Sequence, residues 1–74
     1  MSRLSVLSGK VVVGKLIRHG YQIVRKKGSH VRLKHCNNPS FRPITVPLHK
    51  EIKRGLLMQI IRDVNLTVDE FIEL

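Results

Sequence analysis

Two short segments rich in β-forming residues flank the loop Lys27-Gly28-Ser29. The first covers residues 21–26 and the second residues 30–35. In the second segment, apolar Val31 and Leu33 alternate with cationic or ionisable side chains. Because successive side chains of a strand point to opposite faces, this segment must have one apolar face and one cationic face. The pattern predicts a β-hairpin, and a single hairpin needs further elements to cover its apolar face.

Helical patterns before and after the hairpin supply those elements. Ser8 is placed to cap a first helix, and Gly20 follows its last turn, where a left-handed backbone is needed. Thr67 and Glu70 match a capping box, which predicts a short final helix. The apolar residues at helical spacing are Val12, Val13, Leu16 and Ile17 in the first helix, and Leu56, Leu57, Ile60, Ile61 and Val64 in the second.

Residues 41–46 offer a third strand, in which Ile44 and Val46 share a face. Pro43 favours an edge position, because proline cannot donate the hydrogen bond that a central strand needs. Residues 37–40 are a loop by composition. The predicted fold class is α+β, in the order helix, three strands, helix and a short helical tail. Two helices on one face of the sheet leave the other, cationic face free.

The charge of the chain is large and unevenly distributed. Its 14 lysine and arginine residues stand against 5 acidic ones, for a formal net charge of +9. Residues 1–62 hold all 14 bases and one acid (+13), and residues 63–74 hold four acids (−4). Such a basic body suits a polyanion. Nucleic acid fits better than a membrane, because no amphipathic basic helix and no apolar run near ~20 residues is present.

We expect a single domain over residues 1–74, since a chain this short buries only about 60% of the surface that it exposes when unfolded. Cys36 is the only cysteine, so no internal disulfide can form. This cysteine usage agrees with a reducing compartment, and we expect a cytoplasmic protein with no membrane association.

His30 begins the second strand directly after Gly28 and Ser29, on the face that also carries Arg32 and Lys34. An imidazole changes its protonation state near neutral pH and can give or take a proton. Beside fixed cations and a bound phosphodiester, that is the minimal equipment for cleaving RNA through its 2′-hydroxyl group. A solvated histidine at a strand end is the simpler interpretation, and composition alone supports only binding.

The other histidines are weaker candidates. His19 ends the first helix, where a cation interacts well with the helix dipole. His49, beside Lys50, either touches a phosphate or forms a turn. His30 and His35 are separated by an odd number of residues and therefore face opposite ways on a regular strand, and no paired ligand motif occurs. We therefore expect no metal site and no cofactor.

Motifs along nearly the whole chain carry a resemblance to a known family. They are Ser8-Gly9-Lys10, His19-Gly20-Tyr21, Arg25-Lys26-Lys27-Gly28-Ser29-His30, Ile44-Thr45-Val46-Pro47, His49-Lys50-Glu51-Ile52-Lys53-Arg54-Gly55 and Val64-Asn65-Leu66-Thr67-Val68-Asp69-Glu70-Phe71. In order and spacing the chain resembles the HicA-type (YcfA-like) toxins, small messenger-RNA endonucleases of bacterial and archaeal toxin–antitoxin systems. The resemblance implies a double-stranded-RNA-binding-domain-like α-β-β-β-α fold, which agrees with the order predicted above.

The resemblance also implies a function. The histidine of the Gly-Ser-His motif is the catalytic residue of these toxins, and it falls on His30. Gly28 would shape the turn that presents it. The implied substrate is messenger RNA, and the implied partner is a HicB-type antitoxin that binds the toxin and masks His30.

Our hypothesis is a metal-independent endoribonuclease with His30 as general acid or base. The residues expected to bind RNA are Lys26, Lys27, Gly28, Ser29, Arg32, Lys34, His49 and Lys50. The alternative is a non-catalytic RNA-binding module of the same fold, which would tolerate the loss of His30. A DNA-binding domain ranks last, because the predicted second helix has only Gln59 and Arg62 to read bases.

Overall fold

The computed structural model describes residues 6–38 and 40–74. Within these residues the chain follows the order α-β-β-β-α and ends with a short helix. The elements are α1 (Gly9–Arg18), β1 (Tyr21–Lys27), β2 (His30–His35), β3 (Ile44–Pro47), α2 (Arg54–Asp63) and α3 (Val68–Ile72). The strands form an antiparallel sheet in the order β1-β2-β3. The predicted fold class and element order are confirmed.

The hydrophobic core lies between one face of the sheet and the helices. From the strands it takes Tyr21, Val31, Leu33, Ile44 and Val46, and from the rest of the chain Val12, Val13, Leu16, Ile52, Leu57, Ile60, Ile61, Val64 and Phe71. Fully burying one such side chain stabilises the fold by roughly 1.5–3 kcal/mol. The alternate side chains of β2 and β3, such as Arg32 and Thr45, are exposed. The outer face of the sheet is therefore free of core residues.

Helix α1 begins and ends as its sequence predicts. The Ser8 Oγ accepts a hydrogen bond from the Val11 N–H at 3.2 Å, and Gly20 has a φ of +113°. One expectation for this helix is wrong: Ile17 is 48% exposed. The buried stripe is centred on Leu16, and Ile17, at 100° per residue, lies beyond its margin.

The capping box before α3 is also confirmed. The Glu70 carboxylate accepts from the Thr67 N–H at 2.8 Å, and the Thr67 hydroxyl accepts from the Glu70 N–H at 3.1 Å. The next residue, Phe71, is fully buried. Lys15 of α1 donates through its ammonium group to the Ile72 carbonyl at 3.0 Å. These contacts attach the short helix to the core.

Strand β3 is shorter at its start than the predicted span of residues 41–46. It begins at Ile44, because Phe41 is used in packing and Arg42 in a side-chain hydrogen bond. The Tyr21 hydroxyl donates to the Arg42 carbonyl at 2.8 Å, and the half-buried Phe41 packs against the core. Of the loop predicted at residues 37–40, Pro39 lies outside the described residues.

Four aromatic rings close the end of the sheet opposite the hairpin turn: His19, Tyr21, His35 and Phe41, with neighbouring centroids 4.6–6.1 Å apart. The His35 Nε2 donates to the His19 carbonyl at 3.0 Å, and its Nδ1 accepts from the backbone N–H groups of Asn37 and Asn38. Both ring nitrogens of His35 are thus used within the fold. Burial, with a smaller contribution from the Asp63 carboxylate, raises the pKa of Tyr21 to about 12.

Candidate active site

The tip of the β1–β2 hairpin presents His30. Lys27 and His30 form its last pair, and Gly28 and Ser29 connect them. Gly28 has a φ of +57°. The first position of a type II′ turn requires a positive φ, which residues with a side chain rarely adopt. The Ser29 carbonyl accepts from the Leu48 N–H at 2.6 Å, which ties the turn to the chain after β3. The backbone around His30 is therefore held, while its side chain is exposed.

A shallow cleft of about 410 Å³ lies on the outer face of the sheet beside this turn. It is lined by Arg25, Lys27, His30, Arg32 and Thr45. Among the described residues no carboxylate lines it. The Arg32 Nη1 donates to the Thr45 hydroxyl at 2.9 Å, so one edge of this guanidinium is fixed across the β2–β3 pair. An imidazole surrounded by cations is suited to a phosphodiester.

A β-bulge in β1 assembles the cleft. Ile23 pairs with Leu33, and the next pair joins Arg25 to Arg32, which leaves Val24 as an extra residue. In a regular strand Arg25 would lie with Ile23 on the helix side of the sheet. The bulge reverses the alternation, so Arg25 lies with Arg32 on the outer face.

The same reversal separates two neighbouring lysines. Lys27 pairs with His30 on the outer face, whereas Lys26 pairs with Val31. Val31 is 2% exposed beneath the helices, so Lys26 lies on the helix side of the hairpin. The structure therefore brings Lys27, Arg32 and His30 together and leaves Lys26 apart from them.

Arg25 is the cleft residue that the sequence reasoning missed, although the sequence contains a signal for it. Tyr21 and Lys27 would share a face on a regular strand. Tyr21 is aromatic and needs burial, whereas the two-residue turn places Lys27 opposite His30 on the outer face. Only an extra residue between Tyr21 and Lys27 satisfies both requirements.

The remaining predicted RNA-binding residues lie outside the cleft lining. Lys34 pairs with Gln22 further along the hairpin, and its side chain is exposed. His49 and Lys50 are exposed in the connection between β3 and α2. The backbone of His49 has a structural task, since its carbonyl accepts from the Gly9 N–H at 2.9 Å.

Neither a metal-binding cluster nor a membrane-spanning helix is found among the described residues. No three His, Cys, Asp or Glu side chains come close enough together there to hold a metal ion. None of the helices in that part of the chain combines the length and the hydropathy needed to cross a bilayer. Cys36 is exposed and free, and its thiol donates to the Gln22 Oε1 at 2.8 Å.

The comparison with protein families identifies the chain. A family model described as the HicA toxin of bacterial toxin-antitoxin matches residues 9–66. This range covers α1, the sheet and α2, including every residue of the cleft. A search among curated proteins gave no match. Members of the HicA toxin family are the toxins of toxin–antitoxin pairs, and membership implies a HicB antitoxin as partner. The chain therefore belongs to the HicA toxin family.

Proposed function

We propose that this toxin is an endoribonuclease that cleaves messenger RNA, with His30 as general base or general acid and without a metal cofactor. The observation that carries the proposal is the position of His30. It is an exposed imidazole on a backbone held by the turn and by Leu48, in a cleft with Arg25, Lys27 and Arg32. Family membership supports RNA as the substrate.

The proposed reaction uses the 2′-hydroxyl group of the RNA as nucleophile. A base removes its proton, the 2′-oxygen bonds to phosphorus, and the bond from phosphorus to the 5′-oxygen breaks. The leaving oxygen takes a proton from an acid or from water. The products are a 2′,3′-cyclic phosphate and a 5′-hydroxyl end. His30 performs one of the two proton transfers, and the neighbouring cations stabilise the charge that builds up on the phosphate.

The residues proposed to bind RNA form two groups, those that line the cleft and those that lie outside it. Lys27 and Arg32 line it with His30, so we assign them to the phosphate that reacts. Lys34 continues the same face away from the turn, and we assign it, with His49 and Lys50, to the RNA flanking that phosphate. Gly28 and Ser29 contribute through the shape of the turn. We leave Lys26 out, because it lies on the helix side of the hairpin.

The HicB antitoxin implied by the family is proposed to cover this cleft. A cover over the cleft would block RNA and would mask His30 directly. Its contact surface must supply negative charge or hydrogen-bond acceptors, because the cleft offers cations and no carboxylate among the described residues.

The substrate itself tests the mechanism. In EDTA, the purified toxin should cut a long single-stranded RNA and leave a single-stranded DNA of the same sequence intact, since DNA lacks the 2′-nucleophile. The new RNA ends should carry a 5′-hydroxyl that a polynucleotide kinase labels directly. Equal cleavage of DNA, or activity that EDTA abolishes and Mg²⁺ restores, would contradict the proposal. RNA binding without cleavage would indicate the non-catalytic binding module instead.

A further inference from the structure

We propose that the β-bulge at Val24 creates a phosphate-binding site from Arg25, Lys27 and Arg32, and that the adjacent Lys26 takes no part in it. The inference rests on the proposed function and names the residues that hold the RNA phosphate. It assigns a role to Arg25, which alternation along a regular strand would place on the helix side of the sheet.

The pairing of the hairpin is the first argument. Two consecutive outer-face pairs, Arg25 with Arg32 and Lys27 with His30, set cationic or ionisable side chains directly opposite each other. Such opposed side chains lie about 4.5–5.5 Å apart at Cβ, and like charges there destabilise a sheet. The cleft lining holds no described carboxylate to offset them. A bound phosphate would offset the repulsion between Arg25 and Arg32 and would also attract Lys27.

The fixed guanidinium of Arg32 is the second argument. A guanidinium carries several N–H donors and binds phosphate through two of them in parallel. The bond to the Thr45 hydroxyl uses Nη1 and restrains the side chain before any ligand arrives. Arg25 stands directly opposite on the next strand, so one phosphate can be held from both sides.

Lys26 provides a matched control within the same strand. It lies between the two site residues, carries the same charge, and is exposed as they are. Replacing any of the three with glutamine lowers the net charge by one. General attraction between the basic body and RNA therefore falls equally in all three variants, and only the face differs.

The experiment measures binding of a 2′-O-methyl RNA oligonucleotide, which cannot be cleaved through its 2′-oxygen, over a range of salt concentrations. Arg25→Gln and Lys27→Gln should each weaken binding by roughly three- to tenfold. Each should also reduce the slope of log K against log salt by about 0.7, the value for one phosphate contact on a single strand. Lys26→Gln should weaken binding by no more than about twofold and keep the slope. Circular dichroism checks that each variant is folded.

Equal losses in the Lys26 and Arg25 variants would overturn the inference, and so would RNA binding that neither Arg25→Gln nor Lys27→Gln reduces. Because the probe cannot be cleaved, this outcome is separate from the fate of the proposed function. If the variants differ in RNA binding as predicted but the wild-type protein cuts no RNA, the phosphate site stands and the proposed nuclease activity fails.

Discussion

Tyr21 is 2% exposed although it carries an ionisable hydroxyl group. The hydroxyl donates to the Arg42 carbonyl, and the folded-state pKa is raised to about 12, chiefly by burial. An unfolded tyrosine ionises near pH 10. The protein therefore keeps this part of its stability in full below about pH 10 and loses it as the pH rises toward 12, because the unfolded chain releases its proton first.

This difference predicts that the free energy of unfolding falls by roughly 2 kcal/mol more in the wild type than in Tyr21→Phe between pH 9 and pH 12. Tyr21 is the only tyrosine and the chain has no tryptophan, so its ultraviolet absorbance reports ionisation directly. Parallel pH profiles for the two proteins, with Tyr21 ionising near pH 10, would rule out this account of the buried hydroxyl.

Single residues differ in how well the sequence predicts their placement. The location of His30 follows from local rules, because Gly28 and Ser29 define the turn and the alternation of β2 sets the face. The placement of Arg25 depends on the pairing of two strands. It follows only when two facts are combined: Lys27 lies opposite His30 at the turn, and Tyr21 is buried. A prediction made strand by strand misses it.

Helix α1 meets the sheet through its first residue, Gly9. A Cβ at this position would overlap the Pro47 carbonyl oxygen and lie 2.8 Å from the Leu48 Cα. Leu48 in turn donates to the Ser29 carbonyl of the hairpin turn. The contact between α1 and the Pro47–Leu48 backbone is therefore linked, through the Leu48 hydrogen bond, to the turn that presents His30.

Two glycines of α1 should therefore respond in opposite ways to alanine. Gly9→Ala should lower the free energy of unfolding by about 1–3 kcal/mol, because the backbone at Pro47 must move. Gly14→Ala should raise it by roughly 0.5–1 kcal/mol, since nothing lies within 4 Å of its Cβ position and alanine favours a helix. Denaturant unfolding followed by circular dichroism measures both, and changes of the same sign would contradict the close approach at Gly9.

The elements themselves were largely predictable, because caps, turn residues and hydrophobic spacing act locally. The start of β3 was not. Phe41 belongs to a β-forming segment, but its ring is held by packing against His19 and His35 from other elements. Packing between elements sets that boundary.

At the scale of the whole molecule, the two faces of the sheet differ: one is packed into the core and the other lines the candidate site. One face buries the core residues, and the other presents a cationic cleft with opposed like charges. The composition predicts a polyanion partner from the charge of +13 on residues 1–62, but it cannot say where that charge is concentrated. The sheet topology supplies that information. Strand β2 lies between β1 and β3, so cationic side chains of β1 and β2 meet in one cleft beside β3.

The most direct test compares RNA cleavage in EDTA by the wild type, His30→Ala and His49→Ala, all purified identically and checked for folding. His49 is an exposed histidine outside the cleft lining, so its variant controls for the loss of an imidazole. Loss of cleavage by the identically purified His30→Ala protein excludes a contaminating nuclease. We predict that His30→Ala loses at least about a hundredfold in rate, as expected for a general acid or base, and that His49→Ala remains within about tenfold of the wild type, as for loss of one flanking contact. Undiminished cleavage by the folded His30→Ala protein would contradict the assignment of His30 as the catalytic residue.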